Sequence, residues 1–109
     1  MRVDVRVRRG EVTEEIHAHA ERSVQFAFTR LGNRVSAVTV TLHDVNGPKG
    51  GIDKQCQIRV LGDHLADIVV TQADARWRAA IDVAVDRASR LVSRKLDRFR
   101  GSSLSGEWT

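Results

Sequence analysis

The chain has 109 residues, 41% of them apolar, with 18 Lys and Arg against 14 Asp and Glu and a sequence pI near 10.2. That length makes one domain with a modest core that needs no disulfide or metal staple, and the single cysteine, Cys56, has no internal partner. No apolar run approaches the roughly 20 residues of a membrane span, and the opening MRVDVRVRRG lacks the apolar segment of a signal peptide, so a cytoplasmic protein with a polyanionic partner is the expectation.

Residues 2–8 alternate strictly, Val3, Val5 and Val7 against Arg2, Asp4, Arg6 and Arg8. That period of two predicts a half-buried strand. After the break at Gly10-Glu11, Thr13 is a helix N-cap, and Glu14 and Glu15 sit in the first turn, where the helix dipole favours acids. Ile16, Ala20, Val24, Ala27, Phe28 and Leu31 share one helical face, and Gly32-Asn33 is a stop signal. Phe26 falls off that face, either tucked against a neighbour or left as an exposed contact point.

Three strand-like runs follow, at residues 35–45, 54–61 and 65–72. Their inward positions are Val38, Val40 and Leu42; Cys56, Ile58 and Val60; Ala66, Ile68 and Val70. Gly62-Asp63 predicts a tight hairpin between the second and third runs. The Gly-rich loop at 47–51 carries Lys49 and joins the first two. The last helix is expected from an N-cap at Asp74 to about Arg100, within a domain of residues 1–100, followed by a Ser- and Gly-rich tail at 101–109 expected to be disordered.

The order is therefore β-α-β-β-β-α. Each strand has one apolar face and both helices are amphipathic. The expected fold is an α/β two-layer sandwich, a four-stranded mixed sheet with two helices packed on one face. The first β-α-β unit makes strands one and two parallel by a right-handed crossover.

The last helix concentrates charge. Residues 76–100 hold Arg76, Arg78, Arg87, Arg90, Arg94, Lys95, Arg98 and Arg100 against Asp82, Asp86 and Asp97. At about 100° per residue the helix divides into three stripes. Trp77, Ile81, Val85, Ala88, Val92, Leu96 and Phe99 form an apolar arc of roughly 100°. Arg76, Arg87, Arg90, Arg94 and Arg98 fall within roughly 80° on nearly the opposite side, and the aspartates lie between. An arginine fork matches two phosphate oxygens at once. The four positions from Arg87 to Arg98 span about 16 Å of helix. A solvated face with local ion pairs is the bland alternative.

No catalytic constellation emerges, and no cofactor, metal or small-molecule substrate is expected. His17 and His19 point about 200° apart on a helix and cannot share a metal; they read as surface histidines. Cys56 reads as a small buried hydrophobe, not a nucleophile. The 47–51 loop precedes a strand, so it is not a phosphate-binding P-loop. The open face of the sheet offers Arg6, Arg59, Thr39, Thr41 and His43 but no aromatic residue, which excludes base stacking of the RRM kind there.

The opening strand, Val12-Thr13-Glu14, Val38-Thr39-Val40-Thr41-Leu42 and above all Ala79-Ala80-Ile81-Asp82 followed by Val85-Asp86-Arg87 and Arg90 resemble the ribosome hibernation-promoting factors, also called ribosome-associated inhibitor or sigma-54 modulation proteins. The similarity spans about residues 2–98. It implies a bacterial or plastid cytosolic protein that binds the 30S ribosomal subunit on 16S rRNA, in the channel used by mRNA and tRNA. Such a protein inhibits translation in stationary phase or stress and preserves idle 70S or 100S ribosomes. The resemblance implies rRNA contacts from both helices. Arg87, Arg90, Arg94 and Lys95 match basic positions of the pattern, although the helical wheel puts Lys95 near the apolar edge. Arg76 and Arg98 join them from the stripe, Arg22 and Arg30 from the first helix, and Lys49 from the loop. The chain departs from the family where Ser23 and Phe26 replace frequent lysines, where Arg78 replaces a frequent tyrosine, and in its longer 47–51 loop. It resembles the short form, without the domain that pairs ribosomes. The alternatives are a generic double-stranded RNA-binding module and a protein-interaction regulatory domain.

Overall fold

The computed structural model describes residues 1–45, 53–65 and 67–108, the side chains of 33 and 99–108 excepted. The elements are β1 (Arg2–Arg9), α1 (Glu14–Thr29), a 3-10 turn (Gly32–Arg34), β2 (Val35–Asp44), β3 (Lys54–Gly62), β4 (Ile68–Asp74) and α2 (Trp77–Trp108). This is the expected β-α-β-β-β-α order, in a single sheet ordered β1-β2-β3-β4. β1 runs parallel to β2, and the other two pairings are antiparallel.

Alternation decides which face of the sheet is dry. Val38 pairs with Val60 and Val60 with Ile68; Val40 pairs with Ile58 and Ile58 with Val70. These rows are buried, and Val3 and Val5 extend them into β1, where they face Val38 and Val40. Val7 continues the pattern but is left exposed on this edge strand, next to a register shift at Val7/Arg9. Both helices lie over the apolar rows. α1 buries Ala20, Val24 and Phe28, and α2 buries Ile81, Val85, Ala88, Val92 and Leu96. Ala80, Ala84 and Ser89 are buried too, because small side chains let α2 approach the sheet and α1 closely.

Local chemistry sets the ends of the elements. Thr13 caps α1 as expected: its Oγ1 accepts the Ile16 N–H at 3.2 Å, and its carbonyl accepts the His17 N–H at 3.0 Å. Gly32, with φ of 64°, turns the chain out of the helix. Asp74 is still in β4. Its Oδ1 accepts the Arg76 N–H at 3.1 Å, and Arg76 gives the first helical carbonyl, to Ala80 N–H at 3.0 Å. The capping residue of α2 is thus Arg76, with Asp74 forming the turn before it. α2 runs eight residues past Arg100, where the sequence reading ends it.

The connection from β3 to β4 is not the tight hairpin expected at Gly62-Asp63. Gly62 belongs to β3, the turn falls at Asp63 and His64, with the positive φ of 61° at His64, and β4 begins at Ile68. Gly62 is required for closeness. A Cβ there would lie 2.1 Å from the Arg34 carbonyl oxygen, beside the Asp63 N–H that donates to the same oxygen at 3.0 Å. The inward position expected at Ala66 and the 47–51 loop with Lys49 lie outside the described residues.

A largely buried polar knot links the loop end of the β2–β3 hairpin to the start of α2. Lys54 Nζ donates to Asp44 Oδ2 at 3.0 Å and to Asp53 Oδ2 at 3.2 Å, and it lies 5.7 Å from the centre of the Trp77 ring. The hydrogen bond to Asp44 holds the lysine above its ordinary pKa, against an opposing effect of burial.

Candidate nucleic-acid interface

With its apolar arc on the sheet, α2 must turn its arginines to solvent. Arg76, Arg87, Arg90, Arg94 and Arg98 are all exposed. Lys95 is half-buried, as its place at the edge of the apolar arc requires, so its long stem must reach outward to present the charge.

The helices bring basic residues distant in sequence together. Arg30, at the end of α1, meets Arg87, Arg90 and Arg94 around one open groove of about 750 Å³, floored by Val70 and Leu91 and shared with Asp86 and Ser93. A second open groove, between α1 and α2, is lined by Arg22 and Arg30 with Ser23, Phe26, Asp82 and Asp86 among others. Arg30 therefore borders both grooves. Arg76 and Arg98 line neither. Arg76 lies about 16 Å before Arg87 along the axis, and Arg98 lies one turn beyond Arg94.

The arginines differ in how they are held. Arg87 Nη1 donates to the Thr71 carbonyl at 3.1 Å and to Gln72 Oε1 at 2.7 Å, both on β4. A guanidinium has five donors in a planar fork, so this anchorage occupies one nitrogen and leaves the Nε and Nη2 edge for a phosphate. Arg90 Nε donates to Asp86 Oδ1 at 3.2 Å, one turn away. That pair is largely solvated and weak, about 0.3–0.5 kcal/mol. Arg22, Arg30 and Arg94 make no ion pair among the described residues. Nothing in the local sequence marks Gln72 as the clamp for Arg87, because the two meet only through tertiary packing.

His19 is not the surface histidine expected. Its side chain is 19% exposed, and its Nε2 lies 2.6 Å from Asp82 Oδ1 on α2, linking the two helices. Ser23 Oγ reaches the same nitrogen at 3.5 Å. A Ser-His-Asp triad needs acid and hydroxyl on opposite ring nitrogens. Here both meet one, so this is a helix-to-helix strut and not a triad. His17 lies 3.9 Å from Glu21 on its own helix. Cys56 is fully buried, and burial pushes its thiol up to about 12, far from a thiolate at neutral pH. Among the described residues no three His, Cys, Asp or Glu side chains gather as for a metal. No helix there is long and apolar enough to cross a membrane.

A sheet backed by two helices, with arginines from both converging on its helical side, defines a two-layer α/β domain with a basic outer face. Residues 3–100 match the family described as sigma 54 modulation protein / S30EA ribosomal protein, and the chain belongs to that ribosome-associated family. Among solved structures it is similar to the N-terminal domain of Protein Y from Thermus thermophilus, at 25% identity and a TM-score of 0.67, covering 86% of this chain and 98% of that one. It also matches a ribosomal subunit interface protein from Coxiella burnetii, at 9% identity and a TM-score of 0.68, covering 86% of this chain and 96% of that one; at this identity the likeness shows the fold alone. No curated protein sequence matches it significantly.

Proposed function

We propose that this protein is a cytoplasmic translation inhibitor that binds the 30S subunit and occupies the mRNA–tRNA channel, holding 16S rRNA phosphates with its arginines. The observation that carries this reading is the convergence of Arg30 from α1 with Arg87, Arg90 and Arg94 from α2 on one groove. Membership of a ribosome-associated family supports it. Arg22, Arg76, Lys95 and Arg98 extend the contact along both helices, with Lys49 as a further contact from the 47–51 loop.

The mechanism is occlusion and requires no bond-making. Phosphate contacts fix the register and orientation of the domain, and its bulk then stands where mRNA and tRNA must enter. Arg87 meets its phosphate already oriented by β4 and loses little freedom on binding. An idle ribosome, as 70S or 100S particles in stress or stationary phase, is the state this would preserve.

Co-sedimentation with 30S subunits at low and high salt tests the reading. Association at low salt that fades at high salt is the expected result, because each neutralised phosphate releases counterions. Absence of 30S association at low salt refutes it. Equal affinity for a plain RNA duplex would instead favour a generic double-stranded RNA binder, which recognises shape.

A further inference from the structure

We propose that Phe26 is a stacking platform for one unpaired base of the RNA that this domain binds, set between the two arginines that hold the adjoining backbone. The inference rests on the RNA-binding reading and names a contact within it. Phe26 is 89% exposed, more than any other large apolar side chain among the described residues. Its neighbours Val24 and Phe28 are fully buried, so the helix is correctly seated and Phe26 is turned outward by its position. An aromatic ring left in water forfeits the burial that places such residues in cores.

The surroundings identify the occupant. Arg22, Phe26 and Arg30 are spaced four apart, so they form one row on the outer side of α1, each about 6 Å along the axis from the next. All three are exposed and line the same groove. The nearby acids are already engaged: Glu21 lies near His17, Asp82 contacts His19, and Asp86 is bound by Arg90. Arg22 and Arg30 make no ion pair among the described residues, and a ring between two such cations suits a partner with a flat π-face and a negative backbone. Single-stranded nucleic acid has both. A second copy of this chain would set the arginine row against itself, since a two-fold contact is self-complementary. The sheet, by contrast, offers no aromatic ring on its open face, and among the described side chains Phe26 on α1 is the most exposed aromatic ring.

The test compares Phe26→Ala, Phe26→Leu and Phe26→Trp for affinity to 30S subunits across a salt series. The ring is exposed, so none of these should disturb the fold. Loss of one stacked base weakens binding roughly 5- to 140-fold for the Ala and Leu variants. The Trp variant is expected to stay within about twofold, and all three should keep the parental salt slope, because no phosphate contact is removed. A benzoylphenylalanine photo-cross-linker at position 26 is expected to label 16S rRNA. Full affinity of Phe26→Ala overturns the proposal, as does a Leu variant equal to the parent, which would indicate an apolar protein contact. Cross-links only to protein or to a second copy overturn it as well. The Arg87, Arg90 and Arg94 triple variant to Gln separates the two readings. If it loses binding while Phe26→Ala does not, stacking alone fails; if neither does, RNA binding through this face fails.

Discussion

Replacing Arg87, Arg90 and Arg94 together by Gln removes three charges from the convergent groove while keeping stems that can still hydrogen-bond. If each arginine neutralises one phosphate, the slope of log affinity against log salt falls by about 2.1 for single-stranded contacts and about 2.7 for duplex-like ones. Between 50 and 200 mM salt the parent protein should then lose roughly 20- to 40-fold more affinity than the variant. The fold should survive, because all three side chains are exposed and surface substitutions usually stay within about 0.5 kcal/mol. The Arg90–Asp86 pair adds at most about 0.5 kcal/mol to that cost. Among the single variants, Arg87→Gln should weaken binding most, because Gln72 and the Thr71 carbonyl already orient that guanidinium, whereas Arg90 must leave Asp86. Fluorescence anisotropy of labelled protein against 30S subunits over a KCl series at fixed magnesium measures the slopes. Parallel slopes for parent and triple variant would refute the assignment of phosphates to this groove.

Gln72→Ala should weaken 30S binding, by less than Arg87→Gln, with an unchanged circular dichroism spectrum, because it frees the Arg87 fork without removing its charge; affinity equal to the parent would show that the clamp is dispensable. Cys56 should ignore a thiol reagent in the native protein and react only at the rate of unfolding. Its thiol is raised to about 12 from near 9, so the native state holds a proton the unfolded chain releases, and stability should fall between about pH 9 and 12; a Cys56→Ser variant should show a shallower alkaline decline in denaturant midpoint. Lys54→Met should destabilise the loop end of the β2–β3 hairpin by removing the cation that sits between Asp44 and Asp53, and Asp53→Asn in the same chain should restore part of the loss. Lys54 is held above its ordinary value, so its contribution is complete below about pH 10.4 and is lost as pH rises through the folded value; urea midpoints at pH 8 and above 11 measure it.

Periodicity was enough to reveal the architecture. Val3 and Val5, the alternation in β2 and β3, and the two helical stripes each declare a buried face, and one β-α-β unit with short following connections leaves few topologies. Boundaries were less legible. Gly62-Asp63 carries a hairpin signal, but Gly62 is needed against the Arg34 carbonyl, a contact made across the sheet end, so the turn moves on to His64. The arginine stripe was visible because it lies on one helix. Its convergence with Arg30, the clamp from Gln72 and the His19–Asp82 strut were not, since each joins residues that only packing brings together. The half-buried state of Lys95 agrees with the helical wheel. Phe26 was conspicuous in sequence only as a residue off the apolar face, a position compatible with contact or with solvent until α1 is seated.

One helix, α2, turns its apolar seam to the sheet and its arginines to solvent, so two properties are written on separate faces of a single element. Under the proposed function, substitutions at Arg90 or Arg94 alter affinity while Ile81, Val92 and Leu96 keep the helix seated. Natural variation can therefore retune the grip of such a domain in small steps, one guanidinium at a time, with little exposure to misfolding. The same independence makes the outer face of α2 a practical place to graft a different charge pattern without disturbing the core.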